Sequence, residues 1–323
     1  MNLLHSIKDI QAFRNGCAAA IGNFDGVHRG HQALLQHLLA QAQRLGLPAV
    51  VILFEPQPSE YFAEAEAAPR LSSLREKLII LKEYDIDYVV CLKFNRKLSL
   101  LSPVDFAQHY LFTSLRVKYL LLGDDFRFGN QRQGDVTLLK HLSRRVGATV
   151  EIFNNFNLLG QRVSSTVIRH YLRQGKLDLV HLLLGRTFSM CGRVIHGQAR
   201  GREWYIPTAN VGIQRINLPL TGVFCVHVLT EDNGIIPGVA NLGKRPTVDG
   251  NKNSLEVHLF DFDKTIYGQF LHVYFIHKLR DEIKFSAVDK LVTQIRNDIA
   301  AAKAYFAAES QNTLNRVELN ERI

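Results

Sequence analysis

The chain has 323 residues, enough for about two domains at roughly 150 residues each. With 46% apolar and 21% charged residues it has the balance of a folded globular protein, which excludes disordered, collagen-like and fibrous classes. The net charge of +9 suits polyanionic partners, from nucleic acid to nucleotide phosphates, or an anionic membrane face, and does not choose among them. No apolar run approaches the roughly 18 residues that span a bilayer, and Met1 to Ile10 lacks the apolar stretch of a secretory signal. Cys17, Cys91, Cys191 and Cys225 are far apart and form no CxxC pair. This spacing speaks against a disulfide framework or a metal cluster and points to a reducing cytoplasm.

In chain order, Ala18 to Ile21 reads as a short buried strand. Ala33 to Leu45 reads as a helix with Leu34, Leu35, Leu38, Leu39 and Ala42 on one face, stopped by Gly46-Leu47-Pro48. Apolar runs at Ala49 to Phe54, Tyr88 to Leu92, Tyr119 to Leu122 and Thr149 to Phe153 add four more strands. Helical segments at Leu74 to Tyr84, Phe106 to Leu111 and Thr137 to Val146 alternate with them, and Ala63 to Ala68 reads as a loop or frayed helix. Five strands without polar alternation, separated by helices, predict an α/β parallel sheet covered on both faces. In such sheets ligands sit beyond the carboxyl ends of the strands.

The second half changes character. Two short helices, Val167 to Gln174 and Leu177 to Leu184, end near Gly185-Arg186. Half-alternating strands follow at Phe188 to Ile195, Val223 to Leu229, Ile235 to Ala240, Leu255 to Phe260 and Leu271 to Ile276. Their Gly and Pro punctuation predicts a small antiparallel β-barrel. Ala287 to Ala308 predicts a C-terminal amphipathic helix with Val288, Leu291, Val292, Ile295, Ile299 and Ala302 on one stripe. The boundary falls near residue 186, giving domains 1–186 and 187–323.

The turn after the first strand reads Gly22-Asn23-Phe24-Asp25-Gly26-Val27-His28-Arg29-Gly30-His31 and opens into a helix. Its glycines let backbone approach a ligand closely. The helix N-terminus suits phosphate, and imidazoles at i and i+3 can converge on one anion. The GxGxxG and P-loop fingerprints are absent from this turn, which argues against NAD-type and Walker sites. Other strand ends carry Phe54-Glu55-Pro56, Gly123-Asp124-Asp125-Phe126-Arg127-Phe128-Gly129 and Ser164-Ser165-Thr166-Val167-Ile168-Arg169. The serine-threonine run is either a helix cap or, with Arg169 one turn later, a phosphate clamp. Phe126 and Phe128 either stack on a planar ring or anchor the loop.

These motifs, in this order, resemble the FAD synthetase module of the bacterial bifunctional riboflavin kinase/FMN adenylyltransferase family, and the resemblance covers nearly the whole chain. It implies a Rossmann-like nucleotidylyltransferase domain of the HxGH group, in which FMN attacks ATP and pyrophosphate leaves. It implies catalytic roles for His28 and His31, ATP contacts at Gly22, Asn23, Phe24, Asp25, Gly30, Ser164, Thr166 and Arg169, and flavin contacts at Asp124, Phe126, Arg127 and Phe128.

The barrel half opens with Gly192-Arg193-Val194-Ile195-His196-Gly197-Gln198-Ala199-Arg200-Gly201-Arg202 and continues to Ile206-Pro207-Thr208-Ala209-Asn210. Glycines along a basic loop can wrap a polyphosphate with backbone N–H groups; a glycine-rich hairpin with polar residues outward reads equally well. Thr208 and Asn210, two apart on an extended segment, point to one side and offer oxygen ligands suited to Mg²⁺. Downstream, Gly238 to Thr247, Leu255 to Phe262 and Lys278 to Phe285 resemble the riboflavin kinase module of the same family. Glu256 faces opposite to Leu255 and Val257 by the period of two. It is either a solvent-facing residue or a base for a primary alcohol in phosphoryl transfer. The resemblance implies phosphorylation of riboflavin to FMN, with Glu256 as base, Mg²⁺ at Thr208 and Asn210, ATP beside Gly192, Gly197 and Gly201, and Arg280 on the flavin side. Two departures stand out: the sole tryptophan, Trp204, with Tyr205, replaces a small flexible stretch, and Lys244 sits where a small hydroxyl residue is common.

The expected partners are riboflavin, FMN and ATP, with Mg²⁺ as cofactor and FMN and FAD as products. No nucleic acid or membrane partner is expected, and the chain is expected to be a monomer or weak homo-oligomer. The competing reading is an HxGH enzyme acting on another phosphorylated substrate or on tRNA. Against tRNA stand the lack of a KMSKS-like loop and the small barrel.

Overall fold

The computed structural model describes residues 1–5, 13–197, 204, 206–247 and 250–320. The chain divides into two compact units, Met1–Val167 and Ile168–Ile323. In the first, strands β1 (Asn2–Leu4), β2 (Cys17–Ile21), β3 (Ala49–Glu55), β4 (Tyr88–Lys93), β5 (Val117–Gly123) and β6 (Thr149–Phe153) form one sheet in the order β1-β4-β3-β2-β5-β6. Every pairing in it is parallel. Helices α1 (Arg29–Leu45), α2 (Pro58–Ala63), α3 (Leu74–Lys82), α4 (Arg96–Ser99), α5 (Pro103–Asp105) and α6 (Val136–Arg144) connect the strands. A small hairpin, β7 (Asn157–Leu158) with β8 (Gln161–Arg162), follows β6.

The central strand explains its own composition. Cys17, Ala19 and Ile21 join the core on one face, with Phe106, Leu111 and Leu139. Ala18 and Ala20 join the core on the other, against Leu34, Leu35, Leu38 and Ala42 of α1. Small side chains on the middle strand let helices approach both faces. From β2 the chain runs outward through β3 to β4, then returns to β5 on the other side of β2. Strand order reverses there, and open α/β sheets place ligands at that reversal. The glycine-histidine turn leaves the carboxyl end of β2 at this point.

Among the departures of the first unit from expectation, beside the short helices α2, α4 and α5 and the β7–β8 hairpin, are the following. The sheet has six strands rather than five, because β1 spans three residues, too few to show a period. Helix α1 starts at Arg29 rather than Ala33, because His28 caps it. The helical segment expected over Phe106 to Leu111 is a π-helix that runs on to Ser114.

In the second unit, α7 (Ser165–Arg173), which begins at the end of the first, and α8 (Leu177–Leu184) lead into a closed barrel. Its strands are β9 (Ser189–Ile195), β10 (Ala209–Gly212), β11 (Gly222–Thr230), β12 (Gly234–Thr247), β13 (Gly250–Leu259) and β14 (Phe270–Arg280). They run antiparallel in the order β10-β13-β12-β11-β14-β9, with β9 closing on β10. There are six strands rather than five, the addition being the four-residue β10 that carries Asn210. Leu242, Leu255, Val257, Leu271, Val273 and Phe275 are fully buried. Helix α9 (Val288–Asn320) packs Ile299, Ala302, Tyr305 and Phe306 against Val223, Cys225, Val239 and Phe260. All four cysteines are free and buried, and burial pushes the Cys17 thiol up to about 12 and the Cys225 thiol up to about 11.

Candidate active sites

The turn after β2 takes a costly path. Phe24 (φ 45°), Gly26 (φ 79°) and Val27 (φ 38°) all lie in the left-handed region, and the side chains of Phe24 and Val27 are buried. For the non-glycine residues Phe24 and Val27 this costs on the order of 1–3 kcal/mol each, and such a conformation persists only where its surroundings hold it. The surroundings here are residues 71–77. The buried Asp25 carboxylate accepts the Leu71 N–H at 3.0 Å and the Ser72 N–H at 3.1 Å. Ser72 Oγ accepts the Gly26 N–H at 2.9 Å. Lys77, fully buried, donates its Nζ to the Asn23 carbonyl. Burial pushes the Lys77 ammonium down, and the Asp25 carboxylate opposes the shift. The side chains of Phe24 and Asp25 thus shape the loop, while Asn23 stays exposed.

The two histidines meet at the start of α1. Their rings stack with centroids 3.7 Å apart and planes 15° from parallel, and Phe24 lies against His31 at 5.0 Å. His28 Nδ1 accepts the His31 backbone N–H at 3.3 Å, which makes His28 the N-cap. An accepting ring nitrogen carries no hydrogen, so the neutral imidazole keeps its proton on Nε2. A donor is thereby fixed beside the positive end of a 17-residue helix. Gly30 faces this ring: a Cβ there would lie 3.2 Å from His28 Nδ1 and 3.5 Å from Phe156.

A second loop joins the turn. Ser165 Oγ donates to the Asp25 carbonyl at 2.9 Å, which brings the serine-threonine run to the histidine turn. Ser164 Oγ accepts the Val167 N–H at 3.3 Å in the manner of a helix cap, Thr166 is exposed, and Arg169 lies one turn along α7. Ser165 was not a candidate from sequence; its doubled serine was the signal, since one hydroxyl caps the helix and leaves the other to reach across.

At the end of β5, Arg162 spans Asp124 and Asp125 at 3.2 Å each, and Arg127 pairs with Asp135 at 3.2 Å. Phe126 and Phe128 stack at 5.7 Å; Phe128 is buried and anchors the loop, while Phe126 is half-buried. Sequence reading missed an aromatic row at the ends of β3 and β4. Phe94 meets Phe54, Tyr61 and Phe62 edge-on at 5.9, 5.4 and 5.7 Å, and Phe62 is 67% exposed. These rings come from three separate segments, so no local pattern links them.

On the barrel, register gathers the second set. Asn210 of β10 pairs with Glu256 of β13, which pairs in turn with Asn241 of β12. Leu255 and Val257 are buried, so Glu256 faces outward and is half-buried, with Ser254 Oγ donating to its Oε1 at 3.2 Å. Gly197 lies against the Asn210 amide, where a Cβ would come within 2.2 Å of Nδ2. Gly192 has a packing reason: a Cβ would meet the Gly212 carbonyl oxygen at 2.2 Å. Glu282 rests on Gly243, and burial pushes its carboxyl up. The Arg280 guanidinium is held by the buried Asp298 of α9, at 2.9 Å from Nε and 2.6 Å from Nη2. Gly201 and Tyr205 lie outside the described residues; Trp204 is half-buried and Lys244 exposed. Thr208 and Asn210 supply neutral oxygen donors beside a carboxylate, a donor set that fits a hard divalent cation.

Two family models match the chain, one in each half. The FAD synthetase family model matches residues 10–167, and the riboflavin kinase family model matches residues 184–306. The bifunctional riboflavin kinase/FMN adenylyltransferase of Haemophilus influenzae is 45% identical over 306 residues, 95% of this chain and 99% of that protein. That of Pseudomonas fluorescens is 46% identical over 308 residues, 95% of this chain and 98% of its own. A crystal structure from Streptococcus pneumoniae, named as a macrolide-efflux protein, superposes with a TM-score of 0.75 at 29% identity over 92% of this chain and 96% of that one. Among the described residues of the present chain, no helix is long and apolar enough to cross a membrane.

Proposed function

The chain belongs to the bifunctional riboflavin kinase/FMN adenylyltransferase family, and on that premise we propose how its own residues divide the work. The enzyme phosphorylates riboflavin to FMN with ATP, then adenylylates FMN with a second ATP to give FAD and pyrophosphate. We assign adenylylation to residues 1–186 and phosphorylation to residues 187–323. The reading carries with it a cytoplasmic setting, no nucleic-acid partner, and a monomer or weak homo-oligomer.

In the adenylylation site, an FMN phosphate oxygen attacks the α-phosphorus of ATP as the bond to pyrophosphate breaks. His28 Nε2 and His31 stabilise the charge that develops, and the N-terminus of α1 adds to it. Gly22, Asn23 and Gly30 let the nucleotide lie on the turn; Ser164, Thr166 and Arg169 take the departing pyrophosphate. Asp124, Phe126 and Arg127 border the flavin, and Phe128 supports them from below. In the phosphorylation site, Glu256 takes the proton of the riboflavin 5′-hydroxyl as that oxygen bonds to the γ-phosphorus and ADP leaves. Mg²⁺ held by Thr208 and Asn210 would spread the negative charge of the ATP phosphates. Gly197 and Gly201 line the nucleotide loop, and Arg280, anchored by Asp298, stiffens the flavin side.

The observation that supports this reading best is that each unit gathers its own polar constellation: a stacked histidine pair at the N-terminus of α1, with His28 as its cap, in one, and Asn210 paired with Glu256 in the other. Incubation of the purified chain with riboflavin, ATP and Mg²⁺, followed by chromatography, is expected to yield FMN and FAD. A folded sample that forms neither, yet makes an aminoacyl adenylate from an amino acid, would overturn it. A finer expectation concerns Gly197→Ala. Its methyl group must displace the Asn210 amide, and a shift of about 1 Å costs on the order of a hundredfold in rate. FMN formation falls accordingly, while FAD formation from supplied FMN holds.

A further inference from the structure

We infer that His258 is a positioning residue of the phosphorylation site: it holds the Pro207–Thr208 peptide so that the Thr208 hydroxyl stays aligned with Asn210 and Glu256. The inference rests on the assignment of Thr208 and Asn210 as the metal-holding pair. His258 Nδ1 lies 2.8 Å from the Pro207 carbonyl oxygen. A carbonyl only accepts, so Nδ1 carries the hydrogen and donates it. The acceptor belongs to the peptide unit that carries the Thr208 nitrogen, so the bond sets the plane from which the Thr208 side chain departs.

Topology puts the imidazole where it can do this. His258 follows Glu256 by two residues on β13 and therefore shares its outward face. The β10–β13 pairs run Val211 with Leu255, Asn210 with Glu256, and Ala209 with Val257. One further step along that register sets His258 opposite Thr208, just where β10 begins. Pro207 brings no N–H with which to extend a ladder. The side chain supplies the tie that the backbone lacks at this point. The ring is itself held, edge-on to the buried Phe260 at 5.9 Å. A half-exposed imidazole on the outer face of a closed barrel is not needed to fill the core.

The test uses the full-length enzyme and two readouts. One is the split between KM and kcat for FMN formation. The other is binding of Mn²⁺ with ADP, followed by quenching of the fluorescence of Trp204, the sole tryptophan and four residues ahead of Thr208. Loss of a group that orients a metal ligand typically costs about 10–100-fold in affinity or activity. His258→Ala is expected to weaken Mn²⁺ binding and lower kcat within that range, while FAD formation from FMN and the melting temperature hold. His258→Asn, whose amide can donate from about the Nδ1 position, is expected to restore most of both. Thr208→Ala separates the two ideas. If it binds Mn²⁺ as the parent does, the metal assignment falls and this inference falls with it. If Thr208→Ala binds weakly while His258→Ala binds as the parent does, only the inference is overturned. Failure of His258→Asn to restore what His258→Ala loses also overturns it.

Discussion

Replacing His28 by asparagine is expected to lower FAD formation from FMN by about 10²–10³-fold, the usual loss when one preorganised donor to developing charge is removed. FMN formation from riboflavin should be untouched. The choice of asparagine follows from the geometry. His28 has two functions in this reading: Nδ1 caps α1 by accepting the His31 N–H, and Nε2 carries the hydrogen of the neutral ring. Asparagine is among the best N-caps, so it keeps the first function and removes the second. His28→Ala removes both, and loss of a cap costs about 1 kcal/mol. The two variants should therefore be equally poor at adenylylation, with only the alanine form melting earlier. An asparagine variant that makes FAD at the parent rate would reduce His28 to a cap and sink its catalytic assignment.

This double use of one imidazole also shows where a sequence can be read and where it cannot. The central strand and α1 were legible because their signals are local: an alanine run bounded by glycine, and a leucine stripe at helical spacing. The start of α1 was not, because histidine is a rare cap and Gly30 reads as a turn residue. Strand β1 spans three residues and β10 four, too short for any period to emerge. The loops that bear the chemistry could be placed at strand ends, since parallel sheets put them there. Their internal wiring could not. Asp25 binds the backbone of Ser72 47 residues on, Lys77 reaches Asn23 across 54, and Arg280 reaches Asp298 across 18. Contacts at such separations leave no spacing rule to read. For the same reason Phe128 could not be told from Phe126: both look like stacking platforms in a string, and only burial makes one an anchor.

Glu256→Gln is expected to cut FMN formation by about 10²–10⁴-fold, the range that general-base catalysis contributes, and to leave FAD synthesis from supplied FMN intact. The substitution changes charge and basicity with little change of shape, on a residue whose strand neighbours Leu255 and Val257, rather than Glu256 itself, fill the core. The barrel should therefore melt as before, and Ser254 Oγ can still donate to the remaining carbonyl oxygen. What is lost is the acceptor for the proton of the attacking hydroxyl. Substrate binding should change little, so the loss belongs in kcat rather than KM. If both KM values rise with kcat unchanged, Glu256 binds rather than accepts a proton. If FAD synthesis from FMN falls alongside FMN formation in a sample that is folded, the two chemistries are not separable by residue, and the assignment of one reaction to each unit is wrong.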